Sequence, residues 1–332
     1  MSLFETDQQP CGVSVVATAF NECESLPELY DQLAGAAASC SGRDFEFLVV
    51  DDGSTDSTAI VLAQLAKQDS RLRPIILQRN FGQTAALAAG IDCARYSTIV
   101  TLDADLQNDP ADIPLLLSKL DEGYDVVSGW RKKRQDTLVS RRFPSMLANI
   151  LIGRVTGIRL HDYGCSLKAY RAPVLKRIQL YGEMHRFVPA LCAAVGARIA
   201  EIPVSHRPRV KGTSKYGIGR TLRVILDLLT VKFLLSYSTR PMHFFGMGAL
   251  AFFAAGFIAG VTTLLMKYGD QGVSMNRNPL FYLTIFMGFG GLQFLAVGLL
   301  AELIMRTYYE SQSKAVYVIK QAQINDNPRP PA

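Results

Sequence analysis

Two almost wholly apolar stretches in the last third of the chain, Phe244 to Met266 and Leu280 to Met305, limit what it can fold into more than any other feature. Each exceeds 20 residues, and Glu302, near the end of the second, is the only charged residue in either. At about 1.5 Å rise per residue, each can cross a hydrocarbon layer roughly 30 Å thick. The alternative, a pair of buried core helices, needs surrounding elements, and nothing else in this third is long enough to wrap them. Two transmembrane helices are therefore expected. Arg220, Arg223, Lys232 and Arg240 precede the first, and Arg306, Lys314 and Lys320 follow the second, while only Lys267 and Arg277 lie between. That bias predicts both termini in the cytoplasm.

The preceding part reads as a soluble α/β domain. Val13 to Ala17, Phe45 to Val50, Leu72 to Leu77, Thr98 to Leu102 and Asp125 to Ser128 are short runs rich in Val, Ile and Leu, the pattern of buried strands. Between them, Ser25 to Ala38, Asp56 to Gln68, Gly82 to Ala94 and Ala111 to Glu122 read as helices, the second with Ser54 and Asp56 as capping residues. Such alternation predicts a doubly wound, Rossmann-like, mostly parallel sheet. Gly219 to Ser236 mixes Arg220, Arg223, Asp227 and Lys232 with Leu, Val and Ile, which suits a helix in the bilayer interface or one packed on the core. The expected organisation is a cytoplasmic catalytic domain over 1–215, an interfacial amphipathic helix over 216–240, two spans within 241–306 and a cytoplasmic tail over 307–332. Within the tail, Ala315 to Ile319 suggests a terminal strand, and Asn325 to Ala332 suggests disorder.

Six cysteines without a C-x-x-C pair, all on the reducing side of the membrane in this reading, are expected as free thiols. No charged n-region with an apolar h-region opens the chain, so the first span is expected to act as the membrane signal. A net charge of +6 suits anionic lipid and phosphate ligands. The spans and paired carboxylates argue against nucleic acid as the partner.

Chemistry concentrates where strands end. Asp103-Ala104-Asp105 follows the fourth strand directly and leads into Leu106-Gln107, and Asp51-Asp52-Gly53-Ser54 closes the second strand in the same way. An open α/β sheet binds ligands at this edge. Two carboxylates there can hold a hard divalent cation against a diphosphate, since Mg²⁺ takes one or two carboxylates and completes its shell with substrate phosphate. Thr18-Ala19-Phe20-Asn21-Glu22 and Asn80-Phe81-Gly82-Gln83 leave the first and third strands with further polar groups.

These four motifs, in this order and each after a strand, resemble the GT-A nucleotide-sugar domain of family 2 glycosyltransferases. Arg141, Asp162-Tyr163-Gly164-Cys165-Ser166-Leu167-Lys168-Ala169-Tyr170-Arg171 and Lys211-Gly212-Thr213-Ser214-Lys215-Tyr216 resemble its polyisoprenyl-phosphate branch, which includes dolichol-phosphate mannosyltransferase. With two C-terminal spans, the layout is most similar to the bacterial undecaprenyl-phosphate (bactoprenol) glucosyltransferase type. The resemblance implies that Glu22, Asp52 and Gln83 contact the nucleotide sugar. It implies that Asp103 spans nucleotide and metal, and that Asp105 and Gln107 complete a site for Mg²⁺ or Mn²⁺. Helix capping is the plainer role for Asp51 or Asp52.

A lipid monophosphate has a second pKa near about 6, so at cytoplasmic pH it is largely a dianion and attacks without a strong base. The site must instead hold one anion against another. Arg141, Arg209, Lys211 and Lys215 are the residues expected to bind the acceptor phosphate, with Arg131 and Arg142 behind them. Asp162 resembles the family's acidic position near the acceptor; orienting groups or pairing with an Arg fits the dianion better than acting as base. The four histidines show no metal-ligand spacing, and His161 beside Asp162 is the one to watch.

The leading expectation is metal-dependent, inverting transfer of a hexose, glucose from UDP-glucose, to a polyprenyl (undecaprenyl) phosphate at the bilayer. The rivals are a processive polysaccharide synthase, disfavoured by the absence of a Q-x-x-R-W segment and by too few spans, and a non-catalytic nucleotide-sugar-binding scaffold. Glycines such as Gly248, Gly256, Gly260, Gly290 and Gly298 give the spans small faces, so a homo-oligomer, even a tetramer, is compatible with them.

Overall fold

The structure, a computed structural model, describes residues 10–132, 153, 157–180, 182, 184–207, 241–269, 274–311 and 319–322. Contacts divide the chain into two compact units, Met1–Val231 with Lys314–Ala332, and Lys232–Ser313.

The first unit is built on one sheet, of order β7-β5-β6-β4-β1-β2-β3-β8. Its strands are β1 Val13–Ala19, β2 Phe45–Asp51, β3 Leu72–Leu77, β4 Thr98–Asp103, β5 Val126–Trp130, β6 Lys168–Arg171, β7 Ile199–Pro203 and β8 Ile319–Ala322. The first five match the runs read from the sequence. β1 to β4 are mutually parallel where they pair, and β2 is buried along its whole length, as a central strand covered on both faces must be. The sheet is nonetheless mixed. β6 inserts antiparallel between β4 and β5, and β8 pairs antiparallel with β3.

Four helices connect the first strands: α1 Leu26–Ser39, α2 Thr58–Gln68, α3 Gln83–Cys93 and α4 Ile113–Asp121. At the start of α2, Asp56 accepts the Thr58 N–H at 3.0 Å, whereas Ser54 bonds to Asp51 and Asn21 instead. Helix α3 is rich in Ala and lies close against the sheet. A Cβ on its Gly90 would stand 2.3 Å from Val16 Cγ1, so the glycine sets how near α3 approaches and hence where its first residue, Gln83, is held.

The second unit is a pair of helices, Pro241–Tyr268 and Pro279–Ser311. Their apolar segments of 27 and 26 residues each reach roughly 40 Å, enough to cross a bilayer. Met247, Phe257 and Phe286 are each at least 70% exposed, which excludes the reading as buried core helices. The two pack antiparallel through glycine. Gly248 faces Phe294, Gly256 faces Met287, Gly260 faces Thr284, Gly290 faces Phe252 and Gly298 faces Phe245. The small faces noted in the sequence are thus used within the pair. The chain is a membrane protein, and both helices are long and apolar enough to cross a bilayer. The expected interfacial helix, 216–240, and the expected disorder at 325–332 fall outside the described residues.

Gly90→Ala forces α3 off the sheet; it should lower the melting temperature of the detergent-solubilised protein by several degrees, read by thermal unfolding. A second outcome concerns pH. Arg71 donates to Asp69 at 2.8 Å and Tyr30 does so at 2.8 Å, and the Arg71 bond foremost holds the Asp69 carboxyl down to about 2. Its folded pKa lies below the unfolded value of about 3.9, so its stabilisation is full above about pH 4 and is lost as pH falls through about 2. The melting difference between wild type and Asp69→Asn should shrink across that window.

Candidate functional site

The chain runs β1, β2, β3 in one direction across the sheet and then places β4 on the other side of β1, so the topological switch point lies between β1 and β4. Ligands bind at the carboxyl ends of strands at such a point. There the Thr18 hydroxyl on β1 donates to Asp103 Oδ1 on β4 at 3.1 Å, and Gln83 Nε2, from the start of α3, donates to the same oxygen at 2.7 Å. Asp105 follows, half-buried like Asp103, and its Oδ1 accepts the Gln107 N–H at 3.2 Å. Between them, Leu106 sits at φ 60°, a left-handed conformation uncommon for leucine and concentrated at functional turns.

The other rim loops are tied to one another. Asn21, also left-handed at φ 56°, donates its N–H to Ser54 Oγ at 2.8 Å and accepts the Thr55 N–H at 2.8 Å. Ser54 in turn donates its N–H and hydroxyl to Asp51. Asp52 accepts the Phe81 and Gly82 N–H groups at 2.8 and 2.9 Å, so it clasps the loop that opens α3. Burial lifts both carboxyls above their ordinary values, against the hydrogen bonds that favour the charged form. Gly53 makes the clasp possible: at φ 64° its Cα lies so close to Arg79 that a Cβ would stand 2.2 Å from the Arg79 carbonyl carbon. Glu22 Oε2 accepts the Ser25 hydroxyl at 2.9 Å. Glu22, Asp52, Gln83, Asp103, Asp105 and Gln107 therefore share one rim.

Beside this rim lies a second charged cluster. Arg131 Nε and Nη2 donate to the two oxygens of Asp162 at 2.6 and 2.9 Å, and the Gly164 N–H adds a bond at 3.0 Å. Both side chains are nearly buried. Burial, the largest single influence, works against the Arg131 charge, but the hydrogen bond and the charge of Asp162, with smaller contributions from Cys165 and Asp103, together outweigh it and hold the guanidinium above its ordinary pKa. Glu201 on β7 fixes the same turn, accepting the His161 and Asp162 N–H groups at 3.0 and 2.9 Å and contacting His161 Nδ1 at 2.7 Å. His161 itself stacks on Trp130 with ring centroids 4.3 Å apart.

The sequence did not single out Lys168, which is 3% exposed on β6 and donates to the Tyr163 carbonyl at 3.3 Å. Burial pushes its ammonium below the usual lysine pKa, opposed by neighbouring acidic groups. The signal was present, a lysine within the apolar run Leu167 to Tyr170, but it is legible only once β6 is known to be a strand. The thiol of Cys165, pushed up to about 11 by burial, is chemically quiet.

Arg141, Arg209, Lys211 and Lys215 lie outside the described residues. The segment bearing the last three leaves the described chain at Arg207, whose N–H bonds to the Gln107 carbonyl at 2.9 Å and whose guanidinium pairs with Asp109. Arg207 itself therefore lies beside the Asp103–Gln107 turn.

Among the described residues no group of three His, Cys, Asp or Glu side chains converges as a closed metal cage. The donor set that is present, two carboxylates with a carboxamide two residues on and no thiolate or imidazole, fits a hard divalent cation that takes the rest of its shell from phosphate and water.

A family model described as Glycosyl transferase family 2 matches residues 14–179. Dodecaprenyl-phosphate galacturonate synthase of Rhizobium johnstonii is 45% identical over 94% of this chain and 93% of its own length. Undecaprenyl-phosphate 4-deoxy-4-formamido-L-arabinose transferase of Shewanella sediminis is 40% identical over 95% and 93%. Among solved structures, glucosyl-3-phosphoglycerate synthase of Mycobacterium tuberculosis, in complex with Mn²⁺ and UDP-glucose, superposes with a TM-score of 0.52 at 18% identity, over 67% of this chain and 79% of that one. Mannosyl-3-phosphoglycerate synthase of Rubrobacter xylanophilus gives 0.54 at 15% identity, over 67% and 74%. At such identities the structures speak for the fold, a mixed α/β sheet of GT-A type. With matches that run nearly end to end, the chain belongs to glycosyl transferase family 2, among the polyprenyl-phosphate glycosyltransferases.

Proposed function

We propose that this protein transfers a galacturonate-type sugar from a nucleotide diphosphate, UDP, to a polyprenyl phosphate at the membrane surface. The carrying observation is Asp103, held at the switch point by Thr18 and Gln83 with Asp105 behind it, in a chain that aligns over 94% of its length with a dodecaprenyl-phosphate galacturonate synthase. Glucose, the sugar expected from the layout, is not the sugar named for either relative that matches nearly end to end. A 4-formamido-arabinose donor is the second reading, favoured by the relative at 40% identity.

In this reading the acceptor phosphate, largely a dianion, attacks the anomeric carbon from the face opposite the diphosphate and inverts it. Asp103, Asp105 and Gln107 would hold Mg²⁺ or Mn²⁺, which when bound neutralises charge on the departing diphosphate. Thr18 and Gln83 fix the Asp103 carboxylate, while Asp52 fixes the loop that delivers Gln83. Asp162 holds Arg131 and is not the base, because its oxygens already accept from the guanidinium and from Gly164. Arg141, Arg209, Lys211 and Lys215 bring the second anion in. Both termini are cytoplasmic in this proposal. In its support, β8 follows the second span yet pairs with β3 of the catalytic sheet, so the chain leaves the sheet, crosses twice and returns.

Purified protein in detergent, given undecaprenyl phosphate, Mg²⁺ or Mn²⁺ and labelled UDP-galacturonate, UDP-4-deoxy-4-formamido-L-arabinose or UDP-glucose, should move label into extracted lipid from the first donor. EDTA and Asp105→Asn should each cut transfer at least 100-fold without changing the melting temperature. Transfer from UDP-glucose alone would replace the sugar assignment, and full activity in EDTA would remove the metal. Asp162→Asn should lower the melting temperature by roughly 5–10 °C, since it strips a buried guanidinium of its counter-charge. A base role predicts instead a loss of kcat with melting unchanged.

A further inference from the structure

Beneath the acidic rim one positive charge is built into the sheet itself. Lys168 stands directly opposite Thr101 on β4 and Ser128 on β5. Side chains alternate across a strand, so Lys168 shares its face with Thr101, with Ser128 and with Asp103 two residues further along β4. Its neighbours Leu167 and Ala169 point the other way, into the apolar core with Leu102 and Val127. Diagonal pairing puts Lys168 and Asp103 about 7–8 Å apart at the backbone.

The local hydrogen bonding does not account for a charge at this position. An ammonium has three N–H groups, and the Tyr163 carbonyl at 3.3 Å is its one hydrogen-bond acceptor among the described residues. Ser128 Oγ, directly across the ladder, is buried without a hydrogen-bond partner among them. If this place needed only filling, methionine or leucine would fill it without desolvating a charge. The charges within reach are those of the site. Arg131 and Asp162 neutralise each other in a bidentate pair, whereas Asp103 is held by the neutral donors Thr18 and Gln83. Among the described residues, Lys168 is thus a fixed positive charge beneath Asp103 that no ion pair consumes.

We propose that Lys168 is a positioning residue of the transfer reaction: its ammonium, locked in β6, anchors the Tyr163–Cys165 turn and offsets the negative charge that a diphosphate donor and a phosphate acceptor bring together above it. The inference rests on the transfer proposed above. Lys168 is buried and bonded to the Tyr163 carbonyl, and in this proposal it acts through that turn and through its charge, on the barrier more than on donor binding. With the backbone spacing of about 8 Å taken as the scale of separation and an effective dielectric of about 20, a unit charge changes a rate about 30-fold.

The test measures kcat, the KM for donor and for acceptor, and the melting temperature for Lys168→Met, Lys168→Gln and Lys168→Arg in the full-length protein. Methionine keeps the shape, glutamine keeps a donor for the Tyr163 carbonyl, and arginine keeps the charge. Lys168→Met and Lys168→Gln should lose about 30-fold in kcat with the donor KM within about threefold of wild type, and Lys168→Arg should stay within about fivefold in kcat. A folded methionine or glutamine variant with wild-type kcat overturns the proposal, as does a folded arginine variant as slow as the methionine one. If neither neutral variant folds, the lysine serves folding alone and the proposal falls. Wild-type protein that moves no sugar from any donor overturns the reaction and the inference together; an active wild type beside an equally active Lys168→Met overturns the inference only.

Discussion

Asp103 Oδ1 accepts from a β1 hydroxyl and an α3 carboxamide at once, and the arrangement of the rim follows from that junction. To make it, β4 must lie beside β1, and α3 must approach the sheet closely enough to bring Gln83 over the end of β4. The first condition is topological and creates the switch point. The second is set by Gly90 against Val16, and by Asp52, which pins the loop ahead of Gln83. A carboxylate fixed by neutral donors keeps its charge for a ligand. One paired with a cation, as Asp162 is with Arg131, has spent it. The two acidic groups are thus told apart by their partners, beyond the difference between a half-buried Asp103 and a buried Asp162.

How far the sequence carried this picture depends on how local each determinant is. The β1 to β5 strands and their helices were legible because each is an apolar run of ordinary length. β6 was not, since it is four residues long and ends in Lys168 and Arg171; nor was β7, a half-buried edge strand with Glu201 at its centre. The antiparallel insertion of β6 follows from that omission. The rim acids were legible from their position after strands. Which groups they hold was not, because Asp52 reaches residues 29 and 30 positions away and Asp162 reaches one 31 away. The buried lysine was invisible for the same reason, its meaning depending on strands it meets only in the folded sheet.

The span helices show one residue type serving a purpose that sequence alone leaves open. Glycines in an apolar helix permit close approach of any second helix, from the same chain or another. Here phenylalanines of one span sit over glycines of the other, at Gly248, Gly290, Gly291 and Gly298, so the small faces close an antiparallel hairpin. The outward faces remain large and apolar, as a lipid-facing surface requires.

The place of β8 carries a consequence for biosynthesis. β3 is an outer strand of the sheet until residues 319–322 arrive, and those residues are translated only after both spans. A nascent chain therefore holds an open sheet edge, the kind of surface that recruits strands from other molecules, throughout membrane insertion. Capping that edge from the far end of the chain makes completion of the sheet wait until both apolar helices have been synthesised.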